Sequence, residues 1–359
     1  MKISLITFGA TGGSSGGIEQ YSANLIDAFL YNKKIKLIYV FSKAPLKLNK
    51  KKIRVFSPAF PNSRFNFFVT IMLNIINIMR SEIIILSHIN HVPFLIIPIL
   101  FNKKVVLLSY GGEIFWHEKN FIYKFLLKRI NFFICMRYYT MKALKKKYDL
   151  RDKKFFLLPN GIKLKKIRKL KKNKNIITVA RLWSIEKYKG IDETLEALSL
   201  LKKMNFYYFI VGDGEDKERL IQKAEKLNII KNVKFLGKVS NKMRDKLYLN
   251  SSIISMPGGS VKQPKENIPY DTYPFRFTFL EAANFGLKIL GSTPQNTEKY
   301  YEKKYKNLYF ANPRNRKQIL DKILKLQKQK RQIDKRYLKD FSFDNFKIKL
   351  NNILSDIAK

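Results

Sequence analysis

Two cations and a carboxylate stand at the junctions of strands and helices that the sequence predicts between residues 176 and 281. Arg181 follows the apolar run 176–179, and Lys189 precedes Gly190 at the start of the next helical pattern. Glu281 stands at the start of a later apolar helix. Phosphate ligands bind where strands stop and helices begin, because the free backbone N–H groups of a helix start attract anions. The pattern therefore predicts a site for a ligand that carries phosphate and sugar groups.

The three side chains suit different parts of such a ligand. The guanidinium of Arg181 supplies a planar fork and the ammonium of Lys189 a point charge, so together they could clamp a diphosphate. The carboxylate of Glu281 could accept hydrogen bonds from ribose hydroxyls. The simpler alternatives are that the cations are surface charges, in a chain with 71 Lys and Arg residues, and that Glu281 favours the helix dipole.

A glycine-rich loop at residues 12–17 follows the first predicted strand and precedes a helix. Glycines there let the backbone approach a ligand closely. The loop lacks the G-x-G-x-x-G spacing, and no acidic residue stands about 20 positions further on, which argues against a nicotinamide or flavin cofactor. A tight turn without a ligand is the alternative.

Two histidines, His88 and His91, have a spacing that could hold a metal ion. No third ligand is placed to complete the site. We therefore expect no metal and no bound cofactor.

The predicted elements alternate between strand and helix along most of the chain. Short apolar runs predict strands at residues 3–7, 37–41, 83–86 and 105–108, and again at 176–179, 206–211, 233–236, 253–256 and 288–290. Helical patterns lie between them. Such alternation predicts an α/β fold with parallel, doubly wound sheets.

A change of character near residue 160 divides this pattern in two. The turn-forming Pro159-Asn160-Gly161 is followed by a run of basic residues at 163–174, which predicts an exposed hinge. We predict a Rossmann-like domain at 1–160, a basic hinge at 161–175, a second Rossmann-like domain at 176–335, and a C-terminal helix at 336–359 that packs back toward the first domain. Two such domains imply a cleft between them, where ligands usually bind.

The charge of the chain is extreme, with 71 Lys and Arg against 27 Asp and Glu and a net charge of +44. Nucleic acid, an anionic membrane surface and AT-rich coding are three explanations. A basic, aromatic stretch at about 119–148 predicts a long helix or a helix pair, which could dock on a membrane or simply pack with a solvated basic face. Aromatic and basic side chains carry this pattern: Phe121, Tyr123, Phe125, Lys128, Arg129, Phe132, Phe133, Arg137, Tyr138 and Tyr139.

Cysteine content and hydropathy indicate the compartment. The single cysteine, Cys135, excludes an internal disulfide and fits a reducing environment. The N-terminal apolar run is too short for a signal peptide, and no window has about 18 uninterrupted apolar residues. We expect a cytoplasmic protein, with peripheral attachment to the inner face of the membrane as an option.

Several motifs in this order resemble glycosyltransferase family 4, whose members are retaining, nucleotide-sugar-dependent enzymes of GT-B fold. The first loop and helix, the H-G-x-E-x-W segment, the P-N-G-V/I hinge, the R…K-G signature and the two strands that follow each have a counterpart in this chain. These counterparts are Gly16–Leu25, Gly111–Trp116, Pro159–Ile162, Val179–Asp192, Val211–Gly214 and Val233–Gly237. The resemblance covers nearly the whole chain.

The resemblance implies a role for each matching residue. Arg181 and Lys189 would hold the diphosphate of a UDP- or GDP-sugar, and Glu281 would bind its ribose. Gly17 would let the first loop reach the phosphate or the acceptor. Gly237 would lie at the edge of the nucleotide base, and Thr278 would belong to the donor site. The family works without a bound metal, and the acceptor would be a glycan or a lipid-linked sugar.

The chain departs from the family near the transferred sugar. Tyr273 stands where the family has a second glutamate, and Asp271 could replace that glutamate if the loop is two residues longer. Tyr110 stands where the family often has histidine, three residues before Glu113. We expect these four residues to form the catalytic part of the site. A weakly active or inactive binding protein of the same fold is the second hypothesis, and a nucleic-acid-binding protein, favoured only by charge, is the third.

Overall fold

The computed structural model describes residues 1–10, 16–58, 60, 63–111, 113–114, 121–167, 170, 173–258, 276–292 and 304–359. The chain forms two compact units. The first contains Met1–Gly161 and Phe343–Lys359, and the second contains Ile162–Ser342.

The first unit is built on a parallel sheet of seven strands in the order β3-β2-β1-β4-β5-β6-β7. The central strand β1 pairs on one side with β2, where Ile3 lies opposite Ile38, and on the other with β4, where Ile3 lies opposite Ile83. The strands are β1 (Lys2–Thr7), β2 (Leu37–Ser42), β3 (Ile53–Phe56), β4 (Ile83–Leu86), β5 (Val105–Ser109), β6 (Phe132–Cys135) and β7 (Lys154–Leu157). The predicted strands of this half are therefore confirmed.

Helices cover both faces of this sheet, because the strand order reverses at β1. The chain moves in one direction from β1 to β3 and in the other from β3 to β7. Right-handed crossovers therefore place the helices that connect β3 to β7 on the face opposite to α1, whereas the closing helix contacts α1. The described helices are α1 (Gly17–Tyr31), α2 (Arg64–Leu73), α3 (Ile75–Met79), α4 (Ile96–Leu100), α5 (Phe121–Arg129), α6 (Tyr138–Tyr148) and the closing helix α13 (Phe343–Ala358), with a 3-10 segment at Ile89–Leu95.

The basic stretch predicted as a long helix or a helix pair forms two helices, Phe121–Arg129 and Tyr138–Tyr148, so the pair is confirmed and the single long helix is wrong. A buried strand, β6, separates α5 from α6, and the Phe133 ring on β6 stacks on that of Phe155 at 4.7 Å. The physical reason is local: the run Phe132–Cys135 is apolar and carries no charge, whereas the basic residues stand on either side of it. Phe132 and Phe133 therefore belong to the sheet.

The second unit has a parallel sheet of six strands in the order β10-β9-β8-β11-β12-β13. Its central strand β8 pairs with β9 and β11. The strands are β8 (Ile176–Val179), β9 (Tyr208–Val211), β10 (Val233–Phe235), β11 (Ile253–Met256), β12 (Lys288–Ser292) and β13 (Leu308–Ala311). The first five confirm the sequence prediction, and β13 was not predicted.

Helices of the second unit connect these strands. They are α7 (Ile191–Leu198), α8 (Lys217–Lys226), α9 (Asn241–Leu249), α10 (Phe277–Asn284), α11 (Arg316–Lys328) and α12 (Lys335–Asp340), with 3-10 segments at Ser184–Lys189 and Ile230–Asn232. Both sheets are thus doubly wound and Rossmann-like, and the predicted α/β fold is confirmed.

The basic segment after Gly161 is fastened to the second unit. Ile162 forms an isolated bridge with Ser342, and Asn173 donates to the Leu249 carbonyl at 3.2 Å. The closing helix α13 lies in the first unit instead, where Asn351 on that helix accepts a hydrogen bond from Asn32 at 2.9 Å. Residues 336–342 lie in the second unit, so only Phe343 onward belongs with the first.

Candidate functional site

Two loops meet at the carboxyl edge of the second sheet, and glycines allow the contact. Leu182 N donates to the Asp213 carbonyl at 3.0 Å, and Asp216 N donates to the Leu182 carbonyl at 2.9 Å. Gly212 has a φ of +138°, and a Cβ there would lie 1.7 Å from the carbonyl oxygen of Ala180. The loop after β9 therefore rests on the loop after β8, and this contact fixes the backbone on both sides of Arg181.

The Arg181 side chain is 53% exposed and is held by two neighbours. One Nη forms an ion pair with Glu186, whose side chain is only 7% exposed. The guanidinium also lies over the Trp183 ring, 4.4 Å from its centre. A cation fixed in this way keeps much of its surface open to solvent while its direction is set in advance.

Lys189 ends the 3-10 segment, and Gly190 starts α7. Gly190 has a φ of +81°, and a Cβ there would lie 2.4 Å from Gly258 N and 2.6 Å from Pro257 N. Only glycine fits, because this helix start touches the backbone at the end of β11. Lys189 and Arg181 line the same small pocket, so the structure brings these two predicted residues together.

An ion-pair network forms one wall of this pocket. The Arg219 guanidinium binds both oxygens of Asp192 at 2.8 Å and both oxygens of Asp216 at 2.6 and 2.7 Å. Lys223 donates to Asp192 at 2.6 Å. Burial alone would raise the pKa of Asp192, but the hydrogen bonds from Arg219 and Lys223 outweigh it and lower the pKa to about 2. The network ties the start of α7 to α8.

This network predicts a stability that falls in acid. Because the pKa of Asp192 drops from its ordinary value of 3.8 to about 2 in the folded protein, its carboxylate stabilises the native state fully above pH 4, and the contribution is lost as the pH falls toward 2. We expect Asp192→Asn to cost about 2 kcal/mol of unfolding free energy at neutral pH, and the difference from the parent to shrink below pH 4.

Urea titrations at several pH values measure this difference. Asp321→Asn is the control, because Asp321 is an exposed residue of α11, outside the network. A parent-to-variant difference that stays constant from pH 6 to pH 3 would contradict the assignment.

Glu281 lies in the second turn of α10, not at its start as the sequence suggested. The helix begins at Phe277 and has no acidic residue in its first turn, so the helix-dipole explanation does not apply. Its carboxylate accepts a hydrogen bond from Arg244 at 3.0 Å and one from Tyr248 at 3.3 Å, both from α9. Burial raises the pKa of Glu281, and the Arg244 charge opposes that rise. Glu281 lies outside the residues that line the Arg181 pocket.

Two further predicted donor residues stand at the same edge of the sheet. Gly237 follows β10 with a φ of +62°, and its carbonyl accepts a hydrogen bond from Gly212 N at 2.9 Å. Thr278 lies in the first turn of α10, where its hydroxyl faces the Met256 sulfur at 3.9 Å. The loop after β10 is therefore linked to the loop after β9.

In the first unit, Tyr110 and Glu113 follow β5. The two carboxylate oxygens of Glu113 accept hydrogen bonds from the backbone N–H groups of Tyr110 and Gly111, the second at 2.9 Å. The Ser109 hydroxyl donates to Glu113 as well, at 3.2 Å. Glu113 thus fixes the loop. Burial, and then the Glu113 charge, raise the pKa of Tyr110 well above its usual value, so its hydroxyl stays protonated.

Of the three remaining predicted residues, the structure describes only Gly17. Gly17 is the first residue of α1. Asp271 and Tyr273 lie outside the described residues, as does most of the loop before Gly17.

The two histidines do not form a metal site with any described residue. His91 is buried, with its ring 4.3 Å from that of Phe8 and 5.7 Å from that of Phe67. Burial and the charges of His88 and Lys43 lower the pKa of His91 well below its usual value, so it is neutral. The described ranges contain no cluster of three His, Cys, Asp or Glu side chains that could hold a metal ion.

The sequence analysis missed four residues that hold the site: Trp183, Glu186, Arg244 and Tyr248. Trp183 and Glu186 stand between Arg181 and Lys189, and that position could have indicated them. Arg244 and Tyr248 have a helical spacing of four, but nothing in the local sequence shows that they meet Glu281, which lies 37 and 33 positions further on.

Two doubly wound parallel sheets, with a cation pocket at the carboxyl edge of the second, define a GT-B glycosyltransferase fold. HepE of Anabaena, solved in complex with UDP, matches 99% of this chain and 100% of its own at a TM-score of 0.73 and 15% identity. Sucrose-phosphate synthase of Thermosynechococcus elongatus matches 99% and 98% at a TM-score of 0.74 and 12% identity. At these identities the likeness shows the fold.

The family follows from the sequence. The family model for glycosyl transferases group 1 matches residues 160–340, which is half of the chain, and the protein belongs to this family. Over 117 residues it is 28% identical to glycogen synthase of Mycoplasma mobile. That alignment covers 32% of this chain and 25% of the glycogen synthase. None of the helices in the described ranges combines the length and the apolar character needed to cross a bilayer.

Proposed function

We propose that this protein is a retaining, metal-independent glycosyltransferase of family 4. It transfers a sugar, of hexose type, from a UDP- or GDP-sugar to a glycan or lipid-linked acceptor in the synthesis of cell-surface polysaccharide or glycolipid. The shared pocket of Arg181 and Lys189 is the observation that carries this proposal. The Anabaena relative supports it, since its structures contain UDP and UDP-glucose.

The chemistry follows from the charge that develops on the leaving group. The bond between the anomeric carbon and the diphosphate breaks while a bond to the acceptor oxygen forms on the same face of the sugar. The acceptor proton passes to the departing diphosphate. Fixed cations stabilise that diphosphate more strongly as its charge grows. In this proposal Arg181 and Lys189 supply the stabilisation that a metal ion supplies elsewhere.

The other residues of the second unit bind the nucleoside. Glu281 accepts hydrogen bonds from the ribose hydroxyls with lone pairs that Arg244 and Tyr248 leave open. Backbone groups near Gly237 contact the edge of the nucleotide base. Thr278 lies one turn before Glu281 on α10. The ion pair with Arg244 holds the Glu281 carboxylate in one position before the ligand arrives.

The transferred sugar is assigned to the residues that depart from the family pattern. Tyr110 presents a neutral hydroxyl, and Glu113 acts by fixing the loop that carries it. Asp271 takes the role of the second glutamate, at whose sequence position Tyr273 stands, and Gly17 lets the first loop approach the ligand. The protein acts in the cytoplasm or at the inner face of the membrane, and no specific nucleic acid is part of its function.

Nucleotide protection and turnover test the proposal in two stages. At a concentration of 100 times Kd, UDP or GDP should stabilise the fold by about 2.7 kcal/mol, which raises Tm by roughly 5 to 10 °C for a unit of this size. Release of the nucleoside diphosphate is then measured across a panel of UDP- and GDP-sugars with candidate acceptors. No change in Tm with any nucleoside diphosphate at millimolar concentration would contradict the donor assignment.

The second candidate is a binding protein of the same fold without catalytic activity. The tyrosines at positions 110 and 273 favour it, because neither supplies the imidazole or carboxylate of the family pattern. Protection by a nucleoside diphosphate without turnover of any donor would select this candidate. Unchanged turnover in Asp271→Ala would show that Asp271 is not the replacement carboxylate.

A further inference from the structure

One layer of the first unit exposes large apolar side chains on its outer surface. This outer apolar face consists of residues of α2, α4 and α5 and of the residue that directly follows α4: Phe65, Phe68, Leu100, Phe101, Phe121 and Phe125. Phe121 is 81% exposed and Phe101 is 72% exposed. Single exposed apolar residues are ordinary on protein surfaces, whereas a contiguous group marks an interaction site.

The helices of this face are neighbours. All three follow β3 in the chain, so right-handed crossovers place them on the same side of the sheet. α5 packs against α4 and the 3-10 segment, and Phe94 of that segment lies 6.0 Å from Phe68 of α2. The inward sides of these helices fill the core with Phe67, Ile99 and Leu126.

Along α5 the exposed residues form a ladder of two aromatic rings and a cation. The rings of Phe121 and Phe125 stack at 6.3 Å, and the Arg129 guanidinium lies 3.7 Å above the Phe125 ring. Spacings of four residues put these side chains on one side of the helix. Leu126 and Leu127 point into the core instead.

Cations border the face, and no described acid lies on it. Arg64, Lys124 and Arg129 are exposed beside the apolar residues. Between Asp27 and Asp149 the chain contains only three acidic residues. Of the two that the structure describes, Glu82 accepts a hydrogen bond from Lys2 N before β4, and Glu113 holds the loop after β5.

We propose that the outer apolar face docks on an anionic bilayer. Its aromatic and aliphatic side chains enter the head-group layer, and the bordering cations contact lipid phosphates. An anionic bilayer matches both parts of the surface at once, because it offers an apolar layer directly beneath negative charge. A protein partner would have to supply both an apolar surface and a border of acids.

The docking also gives the acceptor a direction of approach. Since α2 and α5 follow the carboxyl ends of β3 and β5, each begins at the sheet edge where Tyr110 lies. A lipid-linked acceptor would reach this edge from the bilayer. Only this last step rests on the proposed function; the docking itself is measured without donor or acceptor.

Vesicle binding tests the charged border. The full chain should bind vesicles of phosphatidylcholine and phosphatidylglycerol in equal amounts much more tightly than vesicles of phosphatidylcholine alone. Lys124→Glu/Arg129→Glu should weaken binding at least about thirtyfold. The matched control, Lys325→Glu/Lys328→Glu on α11, makes the same change in net charge and should weaken it less than about threefold. Equal losses in both variants would show binding by net charge alone and would overturn the proposal.

Insertion of the apolar side chains is tested separately. Fluorescence of a tryptophan in Phe101→Trp should be quenched by vesicles with brominated acyl chains, whereas Leu200→Trp, at an exposed site of the second unit, should not respond. Phe101→Ser/Phe121→Ser should reduce vesicle binding at least about tenfold, and Leu200→Ser/Ile348→Ser should not. Absence of quenching at position 101, or equal loss in both serine variants, would overturn the proposal.

Folding and donor binding are checked on the same samples. Each variant should keep its melting temperature and its response to UDP, because the substituted residues are exposed and lie outside the Arg181 pocket. Loss of vesicle binding with an intact UDP response supports the docking surface. Failure of the UDP response in the parent protein would count against the proposed function and leave the vesicle result standing.

Discussion

Gly212→Ala is expected to destabilise the second unit more than any other alanine substitution in its loops. The new Cβ would lie 1.7 Å from the Ala180 carbonyl oxygen, and the backbone φ of +138° is one that residues with a side chain rarely adopt. Steric overlap and backbone strain add, so we expect a loss of more than about 3 kcal/mol. Chemical denaturation of the purified variant measures the loss.

Gly237→Ala is the matched control for this prediction. Gly237 also has a positive φ, +62°, but a Cβ there would meet no atom of the described structure within 4 Å. It should therefore show only the cost of the left-handed backbone, about 1–2 kcal/mol. If the two variants lose the same amount of stability, the close contact between the loops that carry Gly212 and Ala180 is not the reason that position 212 requires glycine.

The sequence predicts the sheets well because their strands are short, apolar and regularly interrupted. The run 176–179 shows this, since it has no other way to be buried than as an inner strand. The stretch 119–148 shows the limit. The basic residues on both sides of Phe132–Cys135 have helical spacing, so the pattern predicts a long helix or a helix pair there. The strand between them forms because it pairs with β5 and β7, which lie elsewhere in the sequence.

The candidate site, like the sheets, has a part that the sequence predicts and a part that it does not. Arg181 and Lys189 are predictable because the edge of a parallel sheet is a local feature, marked by the end of an apolar run and by Lys189-Gly190. The partners that hold these residues are not. Arg244 reaches Glu281 only because the fold brings α9 close to α10, and no periodicity in the sequence predicts that contact. The sequence pattern predicts Glu281 in the first turn of its helix, but α10 begins at Phe277 and places Glu281 in the second turn.

Removing either pocket cation should weaken the binding of UDP strongly. A hydrogen bond between charged groups contributes about 1.5–3 kcal/mol, so Arg181→Ala and Lys189→Ala should each raise the Kd for UDP by roughly 10- to 100-fold. The double variant should lose the UDP-induced rise in Tm at millimolar ligand. Isothermal titration on the parent and the variants measures these changes.

Lys226→Ala tests whether UDP binding depends on the two pocket cations or on the positive charge of the chain in general. Lys226 is exposed at the last residue of α8, a helix that begins beside the pocket at Lys217, so it lies about 14 Å along the helix from that start. That distance exceeds the screening length of about 8 Å at physiological salt. The Kd of Lys226→Ala for UDP should stay within about twofold of the parent. An effect as large as that of Lys189→Ala would mean that the net charge of the chain, not the pocket, attracts the diphosphate.

Uridine distinguishes the diphosphate contacts from the rest of the nucleotide site. It lacks the phosphates that Arg181 and Lys189 are proposed to hold, but it keeps the ribose assigned to Glu281. Arg181→Ala and Lys189→Ala should therefore leave the weak binding of uridine unchanged, whereas Glu281→Gln should weaken uridine and UDP by a similar factor. The ion pair between Arg244 and Glu281 sharpens this test, because glutamine keeps the shape of the side chain and removes only its charge. If Arg181→Ala weakens uridine as much as UDP, the substitution has disturbed the loop that Glu186 and Trp183 hold, and the assignment of Arg181 to the diphosphate fails.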